Sequence, residues 1–390
     1  MTEQDPAMSL DERLDCDVIV VGAGLTGLTA ASLLTEAGRG VIVLEAAGQA
    51  GGRIRSLPDP VTGTPLADLG PTWVWPEFQP VATEWLGRLG LTTFAQFDDG
   101  DGILEYSRER PGTRQIIPGQ YGIRRIVGGT GEVIDRLCAG LPNGAVRTGT
   151  PVTTIVENGD AIEIATSNPA SPKLRAARVV VATPMRIAEK SIAWFPPLDA
   201  DLAAAMRATP TWMAAQAKAV AVYDRSFWRA GGLSGRIASQ VGPLVEAHDH
   251  SGPEGTPAAL FGFVGWPHSD RNRLGAKLED QIIEQLGRCL GPEARQPIKF
   301  HVEDWAENEF ICAPLDLRES PSHPDVAPEI LRRPHGDNRI YFAVAETSTR
   351  SPGLIEGAFD AGQSAATKVL ESLASREEIQ TSRLRKRRGP

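Results

Sequence analysis

The chain has 390 residues, 41% of them hydrophobic and 23% charged, with a formal net charge of -9. That length suffices for two domains, or for one large domain interrupted by another, and the composition is ordinary for a globular protein. An acidic body argues against a nucleic-acid surface. No run reaches the ~20 apolar residues of a membrane span. The polar opening MTEQDPAMSLDERLD is no secretory signal, so the expected compartment is the cytoplasm, with no membrane partner.

The first patterned stretch carries most of the chemical information. An apolar strand over Val18 to Val21 leads into Gly22-Ala23-Gly24-Leu25-Thr26-Gly27, then an Ala/Leu-rich helix, then a second strand from Val41 to Leu44 ending at Glu45 and Ala46. Strand, glycine turn, helix, strand and acid in this order form a βαβ dinucleotide site. Gly22 permits the tight turn, Gly24 lets backbone approach a pyrophosphate, and Gly27 lets helix and strand pack closely. The helix start offers unpaired N–H groups to phosphate, and Glu45 is suited to accept hydrogen bonds from a ribose diol. Gly51-Gly52-Arg53 follows; a second glycine pair just past the acid suits a chain running close beneath a flavin more than a nicotinamide.

Farther along comes the Gly/Pro/Trp-rich segment ADLGPTWVWPEFQP, then a predicted helix near Val81 to Leu89 and a turn-rich, poorly patterned stretch over 97–122. Helical pattern resumes at Glu132 to Leu141. Alternation over Val152 to Val156 and Ala161 to Ala165, split by Asn158-Gly159, predicts a hairpin. RVVVA (Arg178 to Ala182) reads as a buried strand followed by Thr183-Pro184. The region from about Ala200 to Asp304 mixes strands and Gly/Pro loops with one good helix at Ala276 to Leu290. IYFAVAET (Ile340 to Thr347) reads as a strand returning to the first sheet, and helical spacing resumes near Gly353. Glu356 in that first turn suits the positive helix end. The four cysteines lack CxxC spacing and are expected to be reduced. His248 and His250, placed in a Gly/Pro/Asp-rich loop, lack a third ligand nearby, so no metal is expected. Five basic residues between Arg383 and Arg388 stand apart; without them the net charge of -9 becomes -14, and such an end is expected to be solvated and flexible.

From Asp17 to about Leu373 the chain resembles the flavin-containing amine oxidase family, the group of the monoamine and polyamine oxidases. The resemblance is carried by VVGAGLTGLTAASLL, VLEAAGQAGGRIRS, DLGPTW, RIVGGTGEVIDRL, TPVTTI, VVVATP, FPPL, KAVAVYDRSFW, DWAENEF and IYFAVAET…PGLIEGA. It implies an α/β fold: a Rossmann-like FAD-binding domain (GR2 type) interleaved with an α+β substrate-binding domain. The expected segments are 16–75, 123–200 and 331–375 for the first domain and 76–122 with 201–330 for the second, flanked by a flexible N-terminus (1–15) and a flexible basic tail (376–390). The implied chemistry is FAD-dependent oxidation of a small amine by hydride transfer to flavin N5, with reoxidation by O2 to imine or aldehyde and H2O2. A homodimer is compatible with this reading.

Residue by residue, the resemblance implies that Gly22, Ala23, Gly24, Leu25, Thr26 and Gly27 hold the pyrophosphate. Leu44, Glu45 and Ala46 take the adenosine ribose, and Val152 meets the adenine through its backbone. Gly51, Gly52 and Arg53 pass near the ribityl chain and flavin, and Leu69, Gly70, Pro71, Thr72 and Trp73 run along the isoalloxazine edge. Ala182, Thr183, Ala345 and Glu346 lie near the ribityl and pyrophosphate, and the N–H groups of Leu354 and Ile355 face flavin N1 and O2, where reduction places negative charge. Trp305 stacks along the flavin. Lys218, mid-strand in AKAVAV, holds a water against N5; it is the one expected catalytic residue, because a lysine in such a strand is costly to bury without partner or function.

Departures from the family pattern narrow the chemistry. The aromatic pair that clamps small primary amines is absent, with Leu354 and Leu315 near its positions. No cysteine sits in register for a covalent flavin link, since Cys312 falls early and Pro314 is nearer, so FAD is expected to be noncovalent. Val344 and Pro71 replace small residues close to the presumed flavin. An α-amino acid substrate calls for an arginine on its carboxylate, where this chain has Thr72-Trp73; Arg236 and Arg350 are the substitutes in sequence. Asp316 and Glu319 could attract a polyamine. The other readings of these motifs are an amino acid oxidase or desaturase, a nicotinamide dehydrogenase, and a catalytically silent flavoprotein.

Overall fold

The computed structural model describes residues 14–119, 121–319 and 322–387, with side chains described as far as 376. The chain divides into two compact units: 1–52 with 137–210 and 324–390, and 53–136 with 211–323. Segments 53–75 and 123–136, expected with the FAD-binding domain, therefore pack within the second unit.

In the first unit, Cys16–Val21 pairs in parallel with Val41–Leu44 on one side and with Lys173–Val181 on the other. The described sheet runs Ala193–Phe195, Val152–Asn158, Ala161–Thr166, Lys173–Val181, Cys16–Val21, Val41–Leu44, Val146–Arg147. Lys173–Val181 serves two neighbours along one edge: its first half pairs antiparallel with Ala161–Thr166 and its second half parallel with Ile340–Phe342. The apolar runs VIVV, VIVL and RVVV are buried along almost their whole length, as parallel strands covered on both faces require. Helix Leu25–Glu36 lies against the C-terminal helix Ile355–Arg387, where Gly362 leaves room for Thr26 O and the Thr29 side chain.

The second unit is built on a sheet ordered Lys299–Asp304, Ala217–Tyr223, Ala258–Val264, Leu244–Asp249, Leu233–Ser239, Asp101–Glu105, Thr113–Gln115. Helix Lys277–Leu290 covers the Ala217/Ala219/Ala221 face through Leu278, Ile282 and Leu286. The other face, bearing Val220, Val222 and Phe261, packs on Leu57, Ala67 and Leu69 from the short hairpin Ser56–Pro58 and Pro65–Asp68.

Four local expectations change. The strand predicted over Ile340–Thr347 ends at Phe342, because Ala343 N makes the last ladder bond to Val181 O and Thr347 Oγ1 then turns back onto Val344 O, closing a 3-10 turn at Ala345–Thr347. The unpatterned stretch 97–122 contains the strands Asp101–Glu105 and Thr113–Gln115. His248 lies in strand Leu244–Asp249 rather than a loop. The C-terminal helix continues to Arg387 through most of the expected flexible tail. The expectations for residues 1–13 and for the basic side chains of the tail lie outside the described residues.

Candidate active site

The dinucleotide residues lie in the first unit. Gly22 adopts φ 105°, and a Cβ there would sit 2.8 Å from Ala182 O. A Cβ on Gly27 would come within 2.1 Å of Gly22 O, so the helix starts directly on the strand that feeds it. Gly24 differs. It caps the helix without a side-chain bond, and the nearest atom to a Cβ at that position would be Gly52 Cα, 4.0 Å away. The absent side chain leaves an open cradle beside free helix N–H groups, the arrangement a pyrophosphate needs.

Glu45 ties the glycine turn to the chain that follows the second strand. Its Oε2 accepts from Ala23 N (2.7 Å) and its Oε1 from Ala47 N (2.8 Å). Burial pushes its carboxyl up from the usual range, and those backbone donors pull it back. Each oxygen keeps a second lone pair for a ribose hydroxyl. Glu45 O accepts from Thr150 N, which sets the entrance to the Val152 strand beside it, and Gly51 N donates to Ala23 O, which lays Gly51 and Gly52 along the turn. Ala182 N and Thr183 Oγ1 both bond Val21 O. At the far end, Gly357 seats the C-terminal helix against Ala345 O, and Leu354 N is held by Ser351 O just ahead of Ile355. Glu346 is buried in the 3-10 turn. The residues present thus fit an FAD: glycine turn, acid and two helix starts come from one unit.

The second unit gathers the other expected residues. Gly70 packs on Arg53 O at a distance no Cβ could share, and Arg53 Nη1 donates to Trp212 O (3.0 Å). Trp305 is buried, donates from Nε1 to Leu69 O (3.2 Å) and carries the Arg55 guanidinium over its ring. Lys218 is 3% exposed. Its strand is interior, flanked by Ala258–Val264 and Lys299–Asp304, so no edge lets the side chain out. Nζ donates to Gly70 O (2.9 Å) and Thr72 Oγ1 (2.5 Å) and sits 4.2 Å from the Phe261 ring centroid. Burial pulls this lysine down to about 7; Asp68 opposes that pull and Arg125 adds to it. Trp73 donates to Gln96 Oε1 and packs edge-on to His248, Phe261 and Trp75.

Sequence reasoning missed the polar support behind Lys218. Asp68 is buried, accepts from Thr130 N (2.7 Å) and Thr130 Oγ1 (2.8 Å), and donates its own N–H to His250 Nε2 (2.8 Å). Thr130 Oγ1 also reaches Pro71 O (3.1 Å). Arg125 clamps His250 O and Ser251 O. The signal was present: Asp68 heads DLGPTW, and His250 belongs to the HDH triplet set aside as a non-metal site. Among the described residues no metal-type cluster occurs.

The substitutes weighed for other substrates are already engaged. Asp316 is buried and builds a turn by accepting from Thr211 N and Ala313 N, rather than waiting at the surface. Arg236 donates to Pro118 O (2.6 Å), and Arg350 lies 3.8 Å from Asp360.

The sequence profile described as flavin containing amine oxidoreductase matches residues 25–123 and 118–370. Amine oxidase [flavin-containing] B of Canis lupus familiaris is 26% identical, with 92% of this chain and 86% of that protein aligned. Amine oxidase [flavin-containing] A of Equus caballus is 30% identical over 70% of this chain and 51% of its own length. Two solved structures share the fold: cyclohexylamine oxidase from Brevibacterium oxydans IH-35A (TM-score 0.76, 21% identity, 92% of this chain and 100% of that one) and putrescine oxidase bound to putrescine (TM-score 0.73, 22% identity, 91% and 99%).

Proposed function

This chain belongs to the flavin-containing amine oxidoreductase family and is an FAD-dependent amine oxidase; on that premise we propose that its substrate is a small neutral amine lacking an α-carboxylate. FAD, when bound, supplies the hydride acceptor and the route to O2, so that the amine leaves as an imine, then aldehyde, and the oxygen as H2O2. In this reading the Gly22–Gly27 turn, the Leu25 and Thr26 N–H groups, Gly51 and Gly52 hold the pyrophosphate, Glu45 the ribose, Val152 the adenine, and Ala182, Thr183, Ala345 and Glu346 the linking chain. Ile355 offers a helix N–H group to negative charge on the ring, while the Leu354 N–H turns inward to Ser351 O. Arg53, Leu69 to Trp73 and Trp305 shape the ring's surroundings. No side chain need take a proton from carbon, because a deprotonated amine can release hydride directly.

Lys218 is assigned to the oxygen step. The observation that carries this is its buried Nζ, fixed on Gly70 O and Thr72 Oγ1, one residue along from the Leu69 carbonyl that takes the Trp305 N–H. A proton held at Nζ in so dry a place stabilises charge developing on oxygen far better than one in water. An amino acid oxidase is the weaker reading, since Arg236 is engaged by Pro118 O and Arg350 stands 60% exposed beside Asp360. Noncovalent FAD is favoured because Cys312 is packed with Ala214, Trp305 and Ile311, its thiol near Ala313 O. The four cysteines, unbridged among the described residues, suit a reducing cytoplasm. The units 1–52/137–210/324–390 and 53–136/211–323 are proposed as the cofactor-carrying and substrate-selecting parts.

The test is anaerobic bleaching of the flavin band with a panel of primary, secondary and polyamines and, as controls, amino acids. Bleaching by amines alone is expected. A protein bleached only by amino acids would overturn the substrate class, and one bleached by nothing would be a silent flavoprotein.

A further inference from the structure

The first unit contains a pocket of about 150 Å³ that none of the dinucleotide residues lines. It lies among the turn Glu329–Arg332, the strand Ile340–Phe342, the segment Thr347 to Thr349, and the face of the C-terminal helix bearing Asp360, Ser364 and Lys368.

Its charge is one-sided. Arg332, Arg333 and Lys368 all line it, and among the described residues none of the three forms an ion pair. The single acid in the lining, Asp360, is already taken: Oδ2 accepts from Ser348 Oγ at 2.6 Å, and Oδ1 lies 3.8 Å from Arg350 Nε. Lys368 Nζ donates to Arg332 O (2.7 Å), which fixes the ammonium beside the arginine turn. Burial and the neighbouring Arg332 charge push that lysine below its ordinary value, and Glu371 and Asp360 only partly oppose them. Arg332 Nε is shut off from solvent and, among the described residues, has no hydrogen-bond partner. Arg332 and Lys368 stand close enough to repel, the exposed Arg333 adds a third positive group to the lining, and an anion between them relieves that repulsion.

The donor set indicates which anion. Guanidinium forks match tetrahedral or planar oxyanions through paired bonds, and an ammonium is a compact phosphate ligand. Thr349 and Ser364 add hydroxyl donors. Three positive groups call for a dianion rather than a monocarboxylate. The volume exceeds one bare phosphate, given that a water occupies roughly 30 Å³ of liquid, and Phe342 supplies an apolar wall.

We propose that this pocket binds a small phosphate monoester, its dianionic head held by Arg332, Arg333 and Lys368 and its organic group set against Phe342.

The experiment is titration calorimetry on FAD-loaded, full-length protein in a phosphate-free, low-salt buffer, with phenyl phosphate, inorganic phosphate and succinate as probes. Because FAD fills the dinucleotide site, heat reports the second site alone, and the result stands whether or not any amine bleaches the flavin. Phenyl phosphate is expected to bind saturably at one site and more tightly than inorganic phosphate. Arg333→Ala and Lys368→Met are each expected to weaken it about ten-fold or more, the scale of one charged hydrogen bond. Arg333 is exposed, so its variant tests the site without disturbing the fold, and unliganded melting temperatures check both variants. Absence of saturable binding, or affinity unchanged by both substitutions, would overturn the site. Equal affinity for inorganic phosphate or for succinate would overturn the monoester assignment.

Discussion

Replacing Lys218 by methionine removes the charge while keeping most of the volume, and the structure sets what this does to stability as pH changes. Burial pulls the lysine down to about 7 in the folded chain, against 10.5 for an ordinary lysine. Between these values the unfolded chain binds a proton that the folded chain does not, so this group's contribution to stability rises with pH. The slope approaches ~1.4 kcal/mol per pH unit across that window and flattens at its ends. From pH 7 to 9.5 the wild-type protein should therefore gain about 3 kcal/mol relative to Lys218→Met. Titrations common to both proteins cancel in the difference. The measurement is urea unfolding of both at pH 7, 8 and 9.5, followed by tryptophan fluorescence. The bonds lost at Gly70 O and Thr72 Oγ1 shift the difference by a constant at every pH, so only its pH dependence bears on the argument. A difference that stays flat across this range would refute it, and with it the picture of Lys218 as a desolvated amine.

The same variant should keep its FAD and its anaerobic reduction by amine, yet reoxidise at least ten-fold more slowly in stopped-flow mixing with oxygen; an unchanged rate removes Lys218 from the oxygen step. Gly27→Ala places a Cβ 2.1 Å from Gly22 O, so the helix start must retreat by roughly 1 Å, at about 1–3 kcal/mol. Flavin fluorescence titration should show ten-fold or weaker FAD binding, and tight wild-type binding would contradict the phosphate cradle. Thr130→Val keeps volume but removes the one hydroxyl hydrogen that the buried Asp68 carboxylate and Pro71 O share. A loss of about 1–3 kcal/mol in urea unfolding is expected, and a neutral variant would mean that the Asp68 carboxyl does not depend on that hydroxyl.

What the sequence made legible was local. Gly22, Gly24, Gly27 and Glu45 act within one strand-turn-helix-strand unit, where spacing alone dictates geometry. Lys218 was recognisable because a charge inside AKAVAV violates the alternation around it. Its supports were hidden for the opposite reason. Asp68 meets Thr130 across 62 residues and His250 across 182, and no local pattern records such pairings. The over-long strand at Ile340–Thr347 failed where β propensity lost to one hydroxyl: Thr347 bends the chain back onto Val344 before a ladder can continue. The strand Asp101–Glu105 escaped notice because its sequence, DGILE, places two adjacent apolar residues between polar ones rather than alternating them.

His250 has a further consequence. Because its Nε2 accepts the Asp68 amide hydrogen, a neutral ring must carry its proton on Nδ1, and among the described residues that nitrogen meets no acceptor. Burial and the nearby Arg125 and Lys218 charges hold this imidazole well below its ordinary value. Protonation would set two N–H hydrogens against each other behind Gly70 and Thr72. The stabilisation this contact lends is complete only above the free-histidine range and drains away as the solution is acidified. An acid-sensitive latch thus stands directly behind the lysine assigned to oxygen.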